Sequence, residues 1–267
     1  MAQIAADTLG VSLSQVTLLG ADTDITPDAG KTSASRQTFV TGNATLAAAS
    51  ALRQQLLRCV NASDESTVEL QAGFVKISDA NTEHKINLAE HDRGNDYVFE
   101  AQETYNPPVS ALDENGQGTP YAQYGYGAQV VELAVDTQLG TVKIQKITTA
   151  HDVGCAINPQ LIEGQIEGGA TQGIGMALME EFIPGVVENL HDYLIPTIGD
   201  IPDFEHHIIE VPDACGPRGA KGLGEHVLIP TAPAIINAIT HATGAEINQL
   251  PATPDRVLAA IKIAQVD

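Results

Sequence analysis

The stretch GPRGAKGLGEHVLIPTAP, residues 216–233, places a single carboxylate, Glu225, at the end of a run with four glycines. Glycine tolerates backbone conformations and close approaches that other residues do not. An apolar segment with helical spacing follows directly. Two interpretations are open: a turn that ends in a solvated glutamate, or a backbone that passes close to a bound group and turns Glu225 toward it.

Length and charge limit the classes of protein that this chain can belong to. Its 267 residues suit one large domain or two small ones, and hydrophobic residues make up 43%. The formal net charge is −21, with 34 acidic residues against 13 Lys and Arg. Binding to nucleic acid or to an anionic membrane needs clustered cations, so neither is expected as a partner.

Cysteine usage and hydropathy indicate where the protein resides. Cys59, Cys155 and Cys215 stand apart, without a CxxC pair. Such spacing fits a reducing compartment and three small buried apolar side chains better than a disulfide framework. There is no apolar run long enough to cross a bilayer and no signal-peptide pattern at Met1. We therefore expect a cytoplasmic protein.

Periodicity along the chain predicts an α+β protein, because helices alternate with mainly antiparallel strands and no βαβ rhythm is present. Apolar spacing from Ile4 to Val11 indicates a helix that is already under way at Met1, as though something belonged before it. The further predicted elements are a short strand over 16–20 and a polar loop up to the helix 43–59, short strands over 66–86, an irregular stretch over 84–118, a hairpin over 128–154, a helix over 159–181, a strand over 204–211, and two C-terminal helices from 231 and 253.

Familiar site signatures are incomplete in this sequence. The fragments GYG (125–127) and GIG (173–175) do not extend to GxGxxG or to a phosphate-binding loop. His206 and His207 are adjacent, so on a strand they point to opposite faces and suit a shared metal poorly. We therefore predict neither a nucleotide loop nor a metal held by side chains.

Two further stretches resemble the opening one in their backbone chemistry. The loop GKTSASRQTFVTGN, residues 30–43, offers N–H donors and a helix N-terminus to an anion. The alternative is a cap in which Thr41 or Asn43 starts the helix. In GQIEGGATQGIG, residues 164–175, glycines permit close approach, while Gln165 and Gln172 supply amide hydrogen bonds. The alternative there is tight helix packing.

Four ordered blocks together resemble the second molybdenum-cofactor domain of the molybdenum hydroxylases, the family of xanthine dehydrogenase and aldehyde oxidoreductase. They are TDITPDAGKTSASRQTFVTGNA (23–44), DVGCAINPQLIEGQIEGGATQGIGMALMEE (152–181), GAKGLGEHVLIPTAPAIINAI (219–239) and PATPDRVLAAI (251–261). The resemblance covers nearly the whole chain. It implies one molybdopterin-binding domain over 1–267, with mixed and antiparallel sheets and packed helices, and two lobes at about 1–110 and 111–267.

The resemblance also implies roles for particular residues. In the family no side chain ligates the molybdenum, which a pterin dithiolene holds. Glu225 matches the family's general base, which takes a proton from the metal's hydroxo ligand so that the oxygen attacks an electron-poor carbon. That role implies a dry pocket around Glu225. The positions that match the family's cofactor contacts are Ala34, Ser35, Arg36, Gln37, Gln165, Gln172, Lys221, Gly222 and Gly224.

One position departs from the family's pattern. Relatives often carry proline directly after the glutamate, whereas this chain has His226. A histidine there stabilises the ionised glutamate, occupies substrate space, or is a neutral core or surface residue. The substrate pocket is the part of the resemblance that this difference affects.

The family's large subunits are longer, with an upstream cofactor domain, so the resemblance implies a split subunit or a truncated piece. The expected partners are that N-terminal molybdopterin-domain subunit, a 2Fe-2S subunit and an FAD subunit, with a small-molecule substrate and, as is usual in bacterial relatives, a cytosine nucleotide on the pterin. The substrate would be an N-heterocycle, such as a purine or a nicotinate-like ring, or an aldehyde. The alternatives are a non-catalytic assembly subunit and a plain anion- or nucleotide-binding module.

Overall fold

A computed structural model describes residues 1–91 and 98–265 of the chain. Its helices are α1 (Ala2–Leu9), α2 (Gln37–Cys59), α3 (Pro159–Leu178), α4 (Thr231–Thr243) and α5 (Pro254–Ala264). Its strands are β1 (Thr67–Gln71), β2 (Phe74–Ser78), β3 (Glu83–Asn87), β4 (Tyr126–Val135), β5 (Val142–Asp152) and β6 (Asp203–Ile209). None of the described helices is long and apolar enough to cross a membrane.

The elements gather into two compact units that are not continuous in sequence. Unit 1 comprises residues 1–123 and 212–221, and unit 2 comprises residues 124–211 and 222–267. The short segment 212–221 therefore belongs with the N-terminal part of the chain, although unit 2 precedes and follows it. The two lobes expected at about 1–110 and 111–267 stay a prediction, since compactness alone does not define a domain.

Unit 1 packs two helices against a three-stranded antiparallel sheet with the order β1-β2-β3. Alternating side chains of the sheet face inward, among them Val75 and Ile77 on β2. These side chains pack with Leu56 and Leu57 near the end of α2. Helix α1 ends, as predicted, at Gly10, which adopts the left-handed conformation with φ of 78°.

Unit 2 covers a second three-stranded sheet, β4-β5-β6, with helices α3, α4 and α5. Strands β4 and β5 form the predicted antiparallel hairpin. Strand β6 pairs with β5 in the parallel direction, which makes the sheet mixed. The largest cluster of buried residues in this unit includes Ile147, Ile174, Ile235 and Val257. The α+β class with mixed and antiparallel sheets is thereby confirmed.

Two predictions for unit 1 are wrong. Val16–Gly20 forms no strand, and Leu18 and Leu19 are exposed, because the segment has no neighbouring strand to complete a ladder. Helix α2 begins at Gln37 and not at residue 43. Asn43 does not cap the helix: its amide donates within it to the Phe39 carbonyl (2.9 Å) and to the Cys215 carbonyl (2.9 Å).

The irregular stretch predicted over 84–118 is partly described. Its first residues belong to β3, and residues 98–118 form neither helix nor strand, as expected. Residues 92–97 lie outside the described part of the chain.

Candidate functional site

Glu225 opens a short 3₁₀ turn, Glu225–Val227, that leads into helix α4. The glycine-rich segment before it brings the backbone to the side of helix α3, where the Gln165 amide donates to the Leu223 carbonyl (3.2 Å). The Glu225 side chain is exposed. The dry pocket expected around Glu225 therefore stays a prediction, because it would have to be completed by groups outside this chain.

Small residues of α3 allow this turn to lie against the helix. A Cβ on Gly169 would come within 2.9 Å of the Val227 Cβ, and a Cβ on Gly173 within 2.4 Å of the Thr231 Cβ. Real Cβ atoms do not approach so closely, so only glycine permits this packing. For these two glycines the helix-packing interpretation is confirmed, and the packing fixes where Glu225 begins its turn.

The face of α3 next to this packed side is bare. Gly164, Gln165, Gly168 and Gln172 are all exposed there. No described atom beyond the helix's own backbone lies within 4 Å of a Cβ built on Gly164 or Gly168. With a period of 3.6 residues, positions 164, 168 and 172 share one face and 165 borders it. This face combines open backbone with two amide side chains, beside the turn that bears Glu225.

A strained turn in unit 1 carries four of the predicted contacts. Ala34 and Ser35 both have φ of 53°, in the left-handed region that non-glycine residues avoid, and the Arg36 N–H donates to the Ser33 carbonyl (3.2 Å). Two such residues in succession cost about 1–3 kcal/mol each and cluster at functional sites. The Arg36 guanidinium folds back on the Lys31 carbonyl (3.2 Å). Gln37 follows as the first residue of α2.

Lys221 is the last residue of unit 1 and is only 8% exposed. Arg218, just before it, is a further left-handed residue with φ of 53°. The neighbouring Ala220 carbonyl accepts a hydrogen bond from the Gln123 amide (3.2 Å). Unit 1 thus holds five of the ten predicted site residues, and unit 2 holds the other five.

The sequence analysis did not identify a partly buried polar network next to the Glu225 turn. Gln129 on β4 donates from Nε2 to the Val227 carbonyl (3.0 Å) and accepts at Oε1 from the Thr231 hydroxyl (2.8 Å). The Gln129 amide nitrogen also lies 3.4 Å from His151 Nε2. His226, the residue that departs from the family pattern, packs its ring 5.4 Å from the ring of His151.

The two histidine rings occupy space that the motif GYG leaves for them. A Cβ on Gly125 would lie 2.9 Å from the His226 ring, and a Cβ on Gly127 would lie 2.4 Å from His151 Nδ1. The glycines of GYG are therefore needed for packing. Their spacing of two residues puts both on one face of the strand, and this spacing was the sequence signal that other side chains lie across it. Burial, together with the smaller effects of the nearby His226 and His206, lowers the pKa of His151 to about 4. His151 is consequently neutral at pH 7.

Known proteins are similar to this chain in sequence and in fold. The profile of a family described as the molybdopterin cofactor-binding domain matches residues 1–202. The xanthine dehydrogenase molybdenum-binding subunit of Escherichia coli O157:H7 is 34% identical over 98% of this chain and 35% of its own length. The nicotine 6-hydroxylase large subunit of Paenarthrobacter nicotinovorans is 33% identical over 98% of this chain and 33% of its own length.

Among solved structures, the aldehyde oxidoreductase from Desulfovibrio gigas superimposes with a TM-score of 0.76 and 29% identity over 98% of this chain and 27% of that chain. The present chain spans about a third of the length of the curated relatives that it matches. The resemblance drawn from the four sequence blocks is confirmed by these matches.

Proposed function

This chain belongs to the molybdopterin cofactor-binding domain family, and we propose that it forms the part of a molybdenum hydroxylase that binds the cofactor and supplies Glu225 as general base. The observation that carries the proposal is the exposed Glu225 turn beside the bare, amide-bearing face of α3. The activity is a proposal because the relatives are about three times as long as this chain.

The residues present fit a molybdopterin group. A flat, polar pterin needs hydrogen-bonding amides and a surface without projecting side chains, which Gln165 offers together with the open positions of Gly164 and Gly168. An anionic pyrophosphate needs N–H donors, and turns with left-handed residues, such as the one at Ala34 and Ser35, commonly form anion-binding concavities. We propose that Arg36, Gln37, Gln172, Lys221, Gly222 and Gly224 complete the contacts.

When bound, the cofactor supplies the two-electron redox chemistry and the water-derived oxygen of a hydroxylation. Glu225 contributes a carboxylate that accepts a proton, which requires that it reach the edge of the bound group. The glycines at 222 and 224 keep Cβ atoms out of the approach to this carboxylate. Val227 is buried and holds the base of the turn in place, which restricts the positions that the Glu225 carboxylate can take.

Substrate and partners are inferred from the relatives that the chain resembles. Their printed names include xanthine dehydrogenase, nicotine 6-hydroxylase and aldehyde oxidoreductase, so we propose a heterocycle or an aldehyde as substrate. We further propose a cytoplasmic complex with the upstream cofactor domain, a 2Fe-2S subunit and an FAD subunit. The chain's own acidic surface, with a net charge of −21, gives no cation-rich site for a nucleic acid.

The experiment is native mass spectrometry of this chain purified from its own source, with molybdenum measured in the same fractions. We expect it in a larger assembly with about one molybdenum per copy, and the pterin released on denaturation. Recovery of the assembled chain without molybdenum or pterin would contradict the proposal and would support a non-catalytic assembly subunit.

A further inference from the structure

The turn that bears Glu225 is weakly held by its own backbone. The Val227 N–H donates to the Gly224 carbonyl at 3.4 Å, and the Leu228 N–H donates to the Glu225 carbonyl at 3.3 Å. Backbone hydrogen bonds are usually 2.9–3.0 Å long, and they weaken with distance. Two long bonds in a single 3₁₀ turn leave its position to contacts from outside the turn.

One of those contacts comes from Gln129. Its amide donates to the Val227 carbonyl (3.0 Å), two residues beyond Glu225, and accepts from the hydroxyl of Thr231 (2.8 Å), the first residue of α4. Val227 and Thr231 are both 0% exposed. One partly buried side chain of the sheet therefore joins both ends of the segment between Glu225 and α4.

His151 lies beside the nitrogen of the Gln129 amide, which the Val227 carbonyl and the Thr231 hydroxyl already orient. The two nitrogens, Gln129 Nε2 and His151 Nε2, are 3.4 Å apart, and the amide nitrogen is always a donor. His151 Nε2 must then be the unprotonated acceptor, so the neutral ring carries its proton on Nδ1. Nδ1 is buried and has no hydrogen-bond partner among the described residues. The ring of His226 also packs against His151, with 5.4 Å between the two ring centroids.

We propose that Gln129 is a positioning residue for Glu225, because its amide anchors the Val227 carbonyl and accepts from the Thr231 hydroxyl. Gln129 acts through the backbone and does not touch substrate or cofactor. The role in turnover rests on the proposed function of Glu225, whereas the anchoring of the turn does not.

The first test measures the anchoring without any activity. Hydrogen exchange by mass spectrometry is followed in this chain for a peptide that contains Glu225–Leu228 and for a peptide from α5. In Gln129→Leu we expect about tenfold faster exchange in the turn, which corresponds to losing one buried hydrogen bond of about 1.4 kcal/mol, and unchanged exchange in α5. Gln145→Leu, at an exposed glutamine of β5, serves as the control and leaves both peptides unchanged.

A pair of substitutions at Thr231 tests the same network from its other end. Thr231→Val keeps the shape but removes the hydroxyl that donates to Gln129, so it accelerates exchange in the turn. Thr231→Ser retains the hydroxyl and restores slow exchange. Unchanged exchange in Gln129→Leu, or equal acceleration in α5, would overturn the anchoring.

Kinetics of the assembled enzyme separate the two proposals. With xanthine, nicotinate and benzaldehyde as trial substrates, Gln129→Leu should lower kcat about tenfold at unchanged molybdenum content, with KM within about twofold. If Glu225→Gln abolishes turnover while Gln129→Leu leaves kcat and exchange unchanged, the positioning role fails and the base stands. If Glu225→Gln turns over normally while Gln129→Leu accelerates exchange, the base fails and the anchoring stands.

Discussion

His151 shows at the scale of one residue how burial sets a protonation state. An unfolded histidine titrates near pH 6.5, while burial holds the pKa of the folded one at about 4. Between these values the unfolded chain binds a proton that the folded chain does not, so acidification favours unfolding in that window. Above pH 6.5 both states are neutral at this position and stability is unaffected.

We predict that lowering the pH from 7 to 4.5 costs the natural chain roughly 2–3 kcal/mol more than it costs His151→Gln, since each pKa unit is worth about 1.4 kcal/mol. Urea unfolding at the two pH values measures this difference. His191→Gln, at an exposed histidine, should follow the natural chain. Parallel curves for the natural chain and His151→Gln would contradict the buried neutral ring.

The turn at Ala34 offers a second prediction for a single residue. Its φ of 53° strains any residue with a Cβ, so Ala34→Gly should raise the unfolding free energy by about 0.5 kcal/mol, after allowance for the greater entropy of unfolded glycine. Gly30→Ala should lower it by about 1–2 kcal/mol, because φ there is +74° and the new Cβ would lie 2.9 Å from Arg36 Nη1. Denaturant unfolding distinguishes the two signs, and a loss of stability in Ala34→Gly would contradict the strain.

Adjacent glycines of helix α3 should respond in opposite directions at the scale of the element. Gly169→Ala places a Cβ 2.9 Å from the buried Val227 Cβ and should destabilise by about 1–3 kcal/mol. Gly168→Ala faces open space and should stabilise the helix by about 0.5–1 kcal/mol. Unfolding midpoints of the two variants give the comparison. Equal effects at both positions would show that the two faces of α3 do not differ as described.

The sequence predicted those elements whose hydrophobic pattern extends over many residues, such as α3 and the β4–β5 hairpin. The start of α2 was not, because Thr41, Gly42 and Asn43 are typical of loops. Their place in the helix depends on Gly42 admitting Pro217 and Ile4, whose side chains come within 2.8 Å and 3.2 Å of a Cβ built there. Such a contact between residues far apart in the chain leaves no local signal.

The candidate site, too, was predictable from the sequence only in part. Glu225 and the glutamines of α3 lie in glycine-rich motifs that can be recognised from neighbouring residues in the sequence. Gln129 lies in the apolar alternation of β4, and only the tertiary structure brings it to the Val227 carbonyl. The parallel pairing of β6 with β5 likewise depends on the sheet as a whole.

Charge is the property that belongs to the whole molecule. With 34 acidic residues against 13 Lys and Arg, most acidic side chains have no cation to pair with, so the folded chain repels itself. We predict that the midpoint of thermal unfolding rises between 10 mM and 300 mM NaCl, where the screening length falls from about 30 Å to below 10 Å. Choline chloride should give the same rise at equal ionic strength. A fall with salt would contradict dominance by self-repulsion.

The most direct test of the account as a whole is the turnover of Glu225→Gln in the assembled enzyme, with molybdenum measured on the same sample. Glu163→Gln, at an exposed glutamate of α3, is the matched control. We predict that Glu225→Gln loses about 10²–10⁴ in kcat, the range of general-base contributions, at full molybdenum content, while Glu163→Gln keeps its rate. Full turnover of Glu225→Gln with molybdenum retained would contradict the claim that this chain supplies the base.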